Sequence, residues 1–312
     1  MQITRWIDQS KIEGKNRSYQ LIMESILEPK ADEEENNDKI FYKNIKTVKK
    51  FDQDKVITLN SKEITFNRIE FSYDAIAPGT EAIEDRTTEK KGFIILYTNG
   101  INTNYIINKN SEAQRIIRKL NGYTGRGEVE KNSAQVPGNF FNWLVKKIYN
   151  NENEFEINNL EEIKIEAIQG FKGNTNDALT KVSAIGESVM NIISTLSFLL
   201  ESGNITQINL AICYGEHQNI DLTINDKGII STDYLKYIGN LTEDDYELSE
   251  SKLLLIIYLV ILPIIFNFYK EEIDAGEWNT NKNIEFLSNV ARKLSQTVDR
   301  KIEDMKALKQ TQ

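Results

Sequence analysis

The sequence predicts an α+β fold: two mixed sheet-and-helix halves, residues 1–155 and 156–312, with long helices closing the C-terminus. Three observations predict it. Alternating apolar runs bounded by turn residues recur in both halves. Apolar residues at steps of three and four mark helices between those runs and at the end of the chain. A polar stretch, 150–156, separates the two halves. With 312 residues there is enough chain for two ordinary domains, and 40% hydrophobic with 27% charged residues sets it apart from disordered sequences.

The first helix is expected over 16–27, with Tyr19, Ile22, Met23, Ile26 and Leu27 on one side and Pro29 ending it. Residues 32–38 are acidic and read as a loop. Strands follow over 39–51, 55–60 and 63–73; in the last, Ile64, Phe66, Ile69 and Phe71 break the alternation as a bulge would. Pro78, Gly79 and many charges make 77–91 a loop. Residues 92–98 and 104–108 form a hairpin around Asn99-Gly100. Ser111 caps a helix reaching Leu120, glycines 122, 125 and 127 break the pattern, and a second helix covers 139–149.

In the second half, 161–171 is strand-like, with a turn at Gly170 and Gly173. Residues 187–201 read as a helix stopped by Gly203. A hairpin of 205–214 and 218–225 turns at 215–217, and a further strand covers 229–231. Ile284, Leu287, Val290, Leu294, Val298, Ile302 and Met305 then form an apolar stripe, which packs on its own domain or on a second subunit. The run 253–269 is the most apolar of all. Its 17 residues, its Pro263 and its acidic flanks favour a buried core helix over a membrane span, and Pro263 frees a carbonyl near Leu259.

The residue inventory narrows the chemistry. Cys213 is the sole cysteine and His217 the sole histidine. No intramolecular disulfide, four-ligand zinc site or histidine-rich centre is therefore available. Residues 1–8 hold no apolar run, so a secretory signal is not expected. A cytoplasmic protein without a cofactor or bound metal is expected. The Gly122–Gly127 stretch lacks the Gly-Lys-Ser/Thr ending of a phosphate-binding loop. Glu162 and Lys164 have the spacing of a metal-dependent nuclease strand, with Glu154 or Glu156 as an added ligand. The same spacing arises on any solvated strand face rich in both residue types, so this enzyme reading stands as the alternative.

The net charge of -9 disfavours general duplex binding. One segment runs against that average. Residues 109–147 hold eight basic residues against three acids, about +5, and leave about -14 elsewhere. Arg115, Arg118 and Lys119 share a helical face. Tyr123, Arg126 and Lys131 follow in and after the glycine-rich loop, and together these six are the expected nucleic-acid contacts.

Residues 165–177 contain a Gly173-x-Thr175-x-Asp177 turn. A stretch centred on Gly186, an apolar segment to Leu200 and the strand 208–214 follow it. This succession resembles part of the RexA family of phage-exclusion proteins. The resemblance implies a dimeric, DNA-associated protein of phage defence that works with a membrane partner, and it transfers no catalytic residue. The chain differs from that family in its longer first half and in its apolar 253–269 run. The expected function is a non-enzymatic binding component of a bacterial phage-defence or mobile-element system. It is expected to be homo-oligomeric, to stay off the membrane and to have a protein partner encoded nearby. A protein-binding scaffold is the further alternative.

Overall fold

The computed structural model describes residues 2–133, 135–156, 162–175, 181–185, 197, 200, 202–243 and 245–310. In chain order the elements are β1 (Thr4–Asp8), β2 (Lys11–Ile12), β3 (Lys15–Asn16), α1 (Tyr19–Leu27), β4 (Phe41–Lys49), β5 (Lys55–Leu59), β6 (Lys62–Ile76), α2 (Ile83–Arg86), β7 (Thr87–Thr98), β8 (Thr103–Ile107), α3 (Ala113–Asn121) and β9 (Val129–Lys131). Then come α4 (Phe140–Tyr149), β10 (Glu154–Glu156), β11 (Glu162–Thr175), β12 (Lys181–Ile185), β13 (Ser202–Tyr214), β14 (His217–Asn225), β15 (Ile230–Thr232), α5 (Tyr246–Ile256), a π-helical turn (Ile257–Ile261), α6 (Leu262–Asp274) and α7 (Thr280–Gln310). The fold is α+β, as the sequence predicts.

Two compact units make up the chain, and neither is a contiguous half. One is Met1–Ser133 with Leu241–Val260; the other is Ala134–Asn240 with Ile261–Gln312. The expected boundary at 155/156 falls inside β10, which pairs with β11, so it would cut through a sheet.

The first unit is built on an antiparallel sheet ordered β4-β6-β7-β8-β1-β9, with β5 also on β6. One face carries α1 and α3, which bury Ile22, Met23, Ile116, Ile117 and Leu120 against Ile69, Phe71, Ile94 and Tyr105. Near Arg68 the other face is covered by α5. This double cover explains the irregular alternation around 66–69. The β6–β7 register runs from Thr65 to Ile76 without a shift, so β6 has no bulge there. Phe66, Asn67, Arg68 and Ile69 are all buried because both faces are occupied. The bulge lies in β4, between Lys43 and Lys46, where Asn44 takes a positive φ of 53°. The expected 77–91 loop is shorter than predicted, because β7 already begins at Thr87 and continues the β6 ladder.

Local chemistry sets the helix ends. Ser18 caps α1 by accepting from the Leu21 amide, and Glu28 turns extended ahead of Pro29. Ser111 does not cap α3; that helix starts two residues later, after Glu112, with no side-chain cap. It ends at Gly122, whose φ of 67° lets its amide reach back to the Arg118 and Lys119 carbonyls.

The second unit has the order β10-β11-β13-β14-β15, with β12 on β11. Gly170 and Gly173 mark no turn. They lie inside β11, where its register against β13 shifts, so the two glycines mark bulges in a long strand. Gly203 lies in β13; most of the expected 187–201 helix is outside the described residues, though Ser197 and Leu200 are helical. Phe140 of α4 stacks on Phe266 of α6, Trp143 of α4 meets Tyr269 of α6 edge-on, and Phe155 of β10 completes the aromatic core. Tyr246–Asp274 is long and apolar enough to cross a membrane, and 61% of its apolar window is buried, as in a core helix. The π turn sits directly ahead of Pro263, where an i→i+5 step accommodates the missing amide donor.

Candidate nucleic-acid interface

The six expected contacts divide into those the fold uses and those it leaves outside. Arg115 lies over the Tyr42 ring at 4.0 Å and donates to Glu33 Oε2 and the Ile40 carbonyl, both at 2.7 Å. Arg118 pairs with Glu128 and donates to the Gly125 carbonyl at 2.5 Å, which staples the glycine-rich loop to α3. Lys119 approaches Glu33 Oε1 only to 3.9 Å. Lys131 is exposed on the short strand β9, where its register partner is Trp6. Arg126 is exposed and makes no hydrogen bond or ion pair among the described residues.

Tyr123 turns its hydroxyl inward. It bonds Asp8 Oδ2 at 2.7 Å and Ser10 Oγ at 2.9 Å, in a network that also holds Tyr105. Burial and the nearby Asp8 push the Tyr123 hydroxyl pKa up, so it stays a neutral donor. One face of the ring supports the guanidinium of Arg17, 5.6 Å from its centroid.

Arg17 and Lys30 were invisible to a count over residues 109–147, because they lie about a hundred positions earlier. Chain folding brings them in. Lys30 Nζ donates to the Ser25 carbonyl at the end of α1, and Ser25 Oγ donates to the Asn121 carbonyl at the end of α3. Burial first, then the positive charges of Arg17 and Lys119, hold the Lys30 ammonium below its ordinary pKa, while Glu28 opposes them. Arg17 donates from Nη2 to the Leu21 carbonyl at 3.2 Å, while its Nε–H has no partner. Arg17, just ahead of α1, and Lys119, in the last turn of α3, thus both act on Lys30, just beyond the end of α1. Cations suit helix C-termini, so Lys30 and Lys119 are in part local caps, whereas Arg17 stands at the N-terminus of α1.

The nuclease alternative assembles differently. Glu154 sits opposite Lys164 and Glu156 opposite Glu162 in the β10–β11 register. Lys164 lies 3.1 Å from Glu154 and 3.6 Å from Glu166, so its charge is spent on those two carboxylates. No group of three His, Cys, Asp or Glu among the described residues is placed to hold a metal. His217 is buried, with Nδ1 2.5 Å from the Tyr237 hydroxyl, and Cys213 Sγ donates to the Gln218 carbonyl at 2.7 Å.

A groove of about 550 Å³ lies on the first unit's sheet, lined by Lys46, Val48, Arg68, Glu70, Lys91 and Phe93. Its one buried cation, Arg68, is consumed by Glu250 at 2.7 Å and by the Phe93 ring at 3.8 Å. No family model and no curated protein matches the chain.

Proposed function

We propose that this protein is a non-enzymatic, cytoplasmic binding component that contacts nucleic acid through its first unit. The contact centres on Arg17, Lys30 and Lys119, with Tyr123 beneath Arg17 and Arg126 on the adjoining loop. One observation carries the reading: Arg17, Lys30 and Lys119 gather where α1 packs beside α3, in a chain of net charge -9. Like charges repel, and a polyanion relieves that cost. The resemblance to RexA suggests the setting, a bacterial phage-defence or mobile-element system with a protein partner encoded nearby. Arg115 and Arg118 drop out of the contact set, because their charges already serve Glu33 and Glu128.

The test is a triple variant, Lys30→Ser, Lys119→Ser and Arg126→Ser, titrated with short duplex and single-stranded DNA over a range of salt. Affinity is expected to fall, and the salt slope to become shallower by roughly 0.9 per lost phosphate contact on duplex. Arg115→Ser serves as the control and leaves the slope unchanged. If the triple variant keeps the parent's affinity and slope, the proposal fails.

A further inference from the structure

The stripe along α7 divides into two parts with different surroundings. Phe286 and Val290 are buried in the second unit, where Phe286 meets the Tyr149 ring edge-on at 5.8 Å. Lys293 lies 4.5 Å from the centre of the same ring. Beyond Lys293 no residue of α7 makes a hydrogen bond, ion pair or ring contact outside the helix among the described residues. Yet the helix continues to Gln310, and the stripe continues with it: Val298 is 37% exposed, Ile302 40% and Met305 57%. A free helix of that length is marginal in water, and an apolar stripe without a neighbour loses the burial that would hold it.

We infer that this segment of α7 joins two copies of the chain, side by side and antiparallel. The charges beside the stripe select both occupant and direction. At 3.6 residues per turn, Asp299 and Lys306 flank the stripe on one side and Lys301 flanks it on the other. Place a two-fold axis between Ile302 and Glu303. Asp299 then faces Lys306 of the second copy, a pair that occurs twice. In antiparallel pairs such same-side positions meet, and Val298, Ile302 and Met305 interdigitate with their equivalents. A parallel pair instead sets flanking positions five residues apart against each other, which brings Lys301 against Lys306. The sequence is thus complementary to itself in one direction only. The contact spans about four turns per copy and is small beside the roughly 1,200–2,000 Å² of stable interfaces, so the pair separates on dilution. It stands whether or not the first unit binds nucleic acid.

Sedimentation equilibrium of the full chain over a concentration series tests this. The parent is expected to pass from monomer to dimer, and Ile302→Asp, at an exposed position, to stay monomeric with the parent's thermal unfolding. Asp299→Lys or Lys306→Asp alone weakens the dimer by roughly tenfold, and the two together restore it. In a Cys213→Ser background, Ile302→Cys forms a disulfide-linked dimer under oxidation whereas Leu294→Cys does not. A monomer at every concentration overturns the inference, as does a dimer indifferent to Ile302→Asp. Linking through Leu294→Cys as readily as through Ile302→Cys overturns the antiparallel direction and with it the interface.

Discussion

Arg118 and Arg126 stand on the two sides of one short glycine-rich loop, and the fold treats them in opposite ways. Arg118 is held by Glu128 and by two carbonyls of the loop; Arg126 is exposed on that loop and makes no hydrogen bond or ion pair among the described residues. In a sequence window each counts as one positive charge. In the folded chain one is a structural staple and the other is available for binding. The lesson extends across the first unit. Arg68 and Arg115, each matched by a carboxylate and an aromatic face, belong with Arg118, whereas Lys119 comes only to 3.9 Å from Glu33 and Lys30 forms no ion pair among the described residues. Net charge over a segment measures potential, and binding depends on what the fold leaves unspent.

The contrast is broken most sharply at Arg68. Its guanidinium and Glu250 are both buried and 2.7 Å apart. Glu250→Ala strands a buried charge and is expected to cost about 3–5 kcal/mol. Arg126→Ala, at an exposed unpaired site, should stay within about 0.5 kcal/mol. Urea unfolding of both variants compares them directly. Equal losses would mean that the division into spent and unspent cations is wrong.

Arg118→Ala comes next in size. Loss of a half-buried ion pair and of the bonds to the Gly125 and Tyr123 carbonyls is expected to cost about 1–3 kcal/mol. The loop 122–127 should also become a site of limited proteolysis while the salt slope of DNA binding stays at the parent value. A shallower slope would return Arg118 to the contact set.

Much of the architecture was legible in the sequence, for physical reasons. The hairpins at Asn99-Gly100 and at 215–217, the helix 140–149 and the buried run before Pro263 follow from periodicity and turn chemistry, which are local. The misreadings were non-local. A broken alternation at 66–69 looks the same whether it marks a bulge or a strand covered on both faces, and α5, which covers the second face, lies about 180 residues away. Gly170 and Gly173 looked like a turn because a glycine that ends a strand and one that bulges it carry the same local signal. At the candidate site, Lys119, Tyr123 and Arg126 were found from composition. Arg17 and Lys30 were not, since only the packing of α1 beside α3 brings them there.

The smallest effect lies at the uncharged end of the same contrast. Burial holds His217 below its ordinary pKa, near 6.5, with Glu216 opposing weakly, and its Nδ1 meets the Tyr237 hydroxyl. The folded chain therefore keeps this imidazole neutral at pH values where the unfolded chain has begun to protonate it. Between the two pKa values the unfolded state binds more protons, so stability rises with pH across that window and declines as pH falls from about 6.5. Above the window both states are neutral and His217 adds no slope. His217→Gln removes the titration while keeping a polar side chain. Unfolding free energies measured between pH 7.5 and 5.5 should therefore fall less in the variant than in the parent. Identical slopes would show that the imidazole is as free to ionise in the fold as outside it, and that its contact with Tyr237 confers no preference for the neutral form.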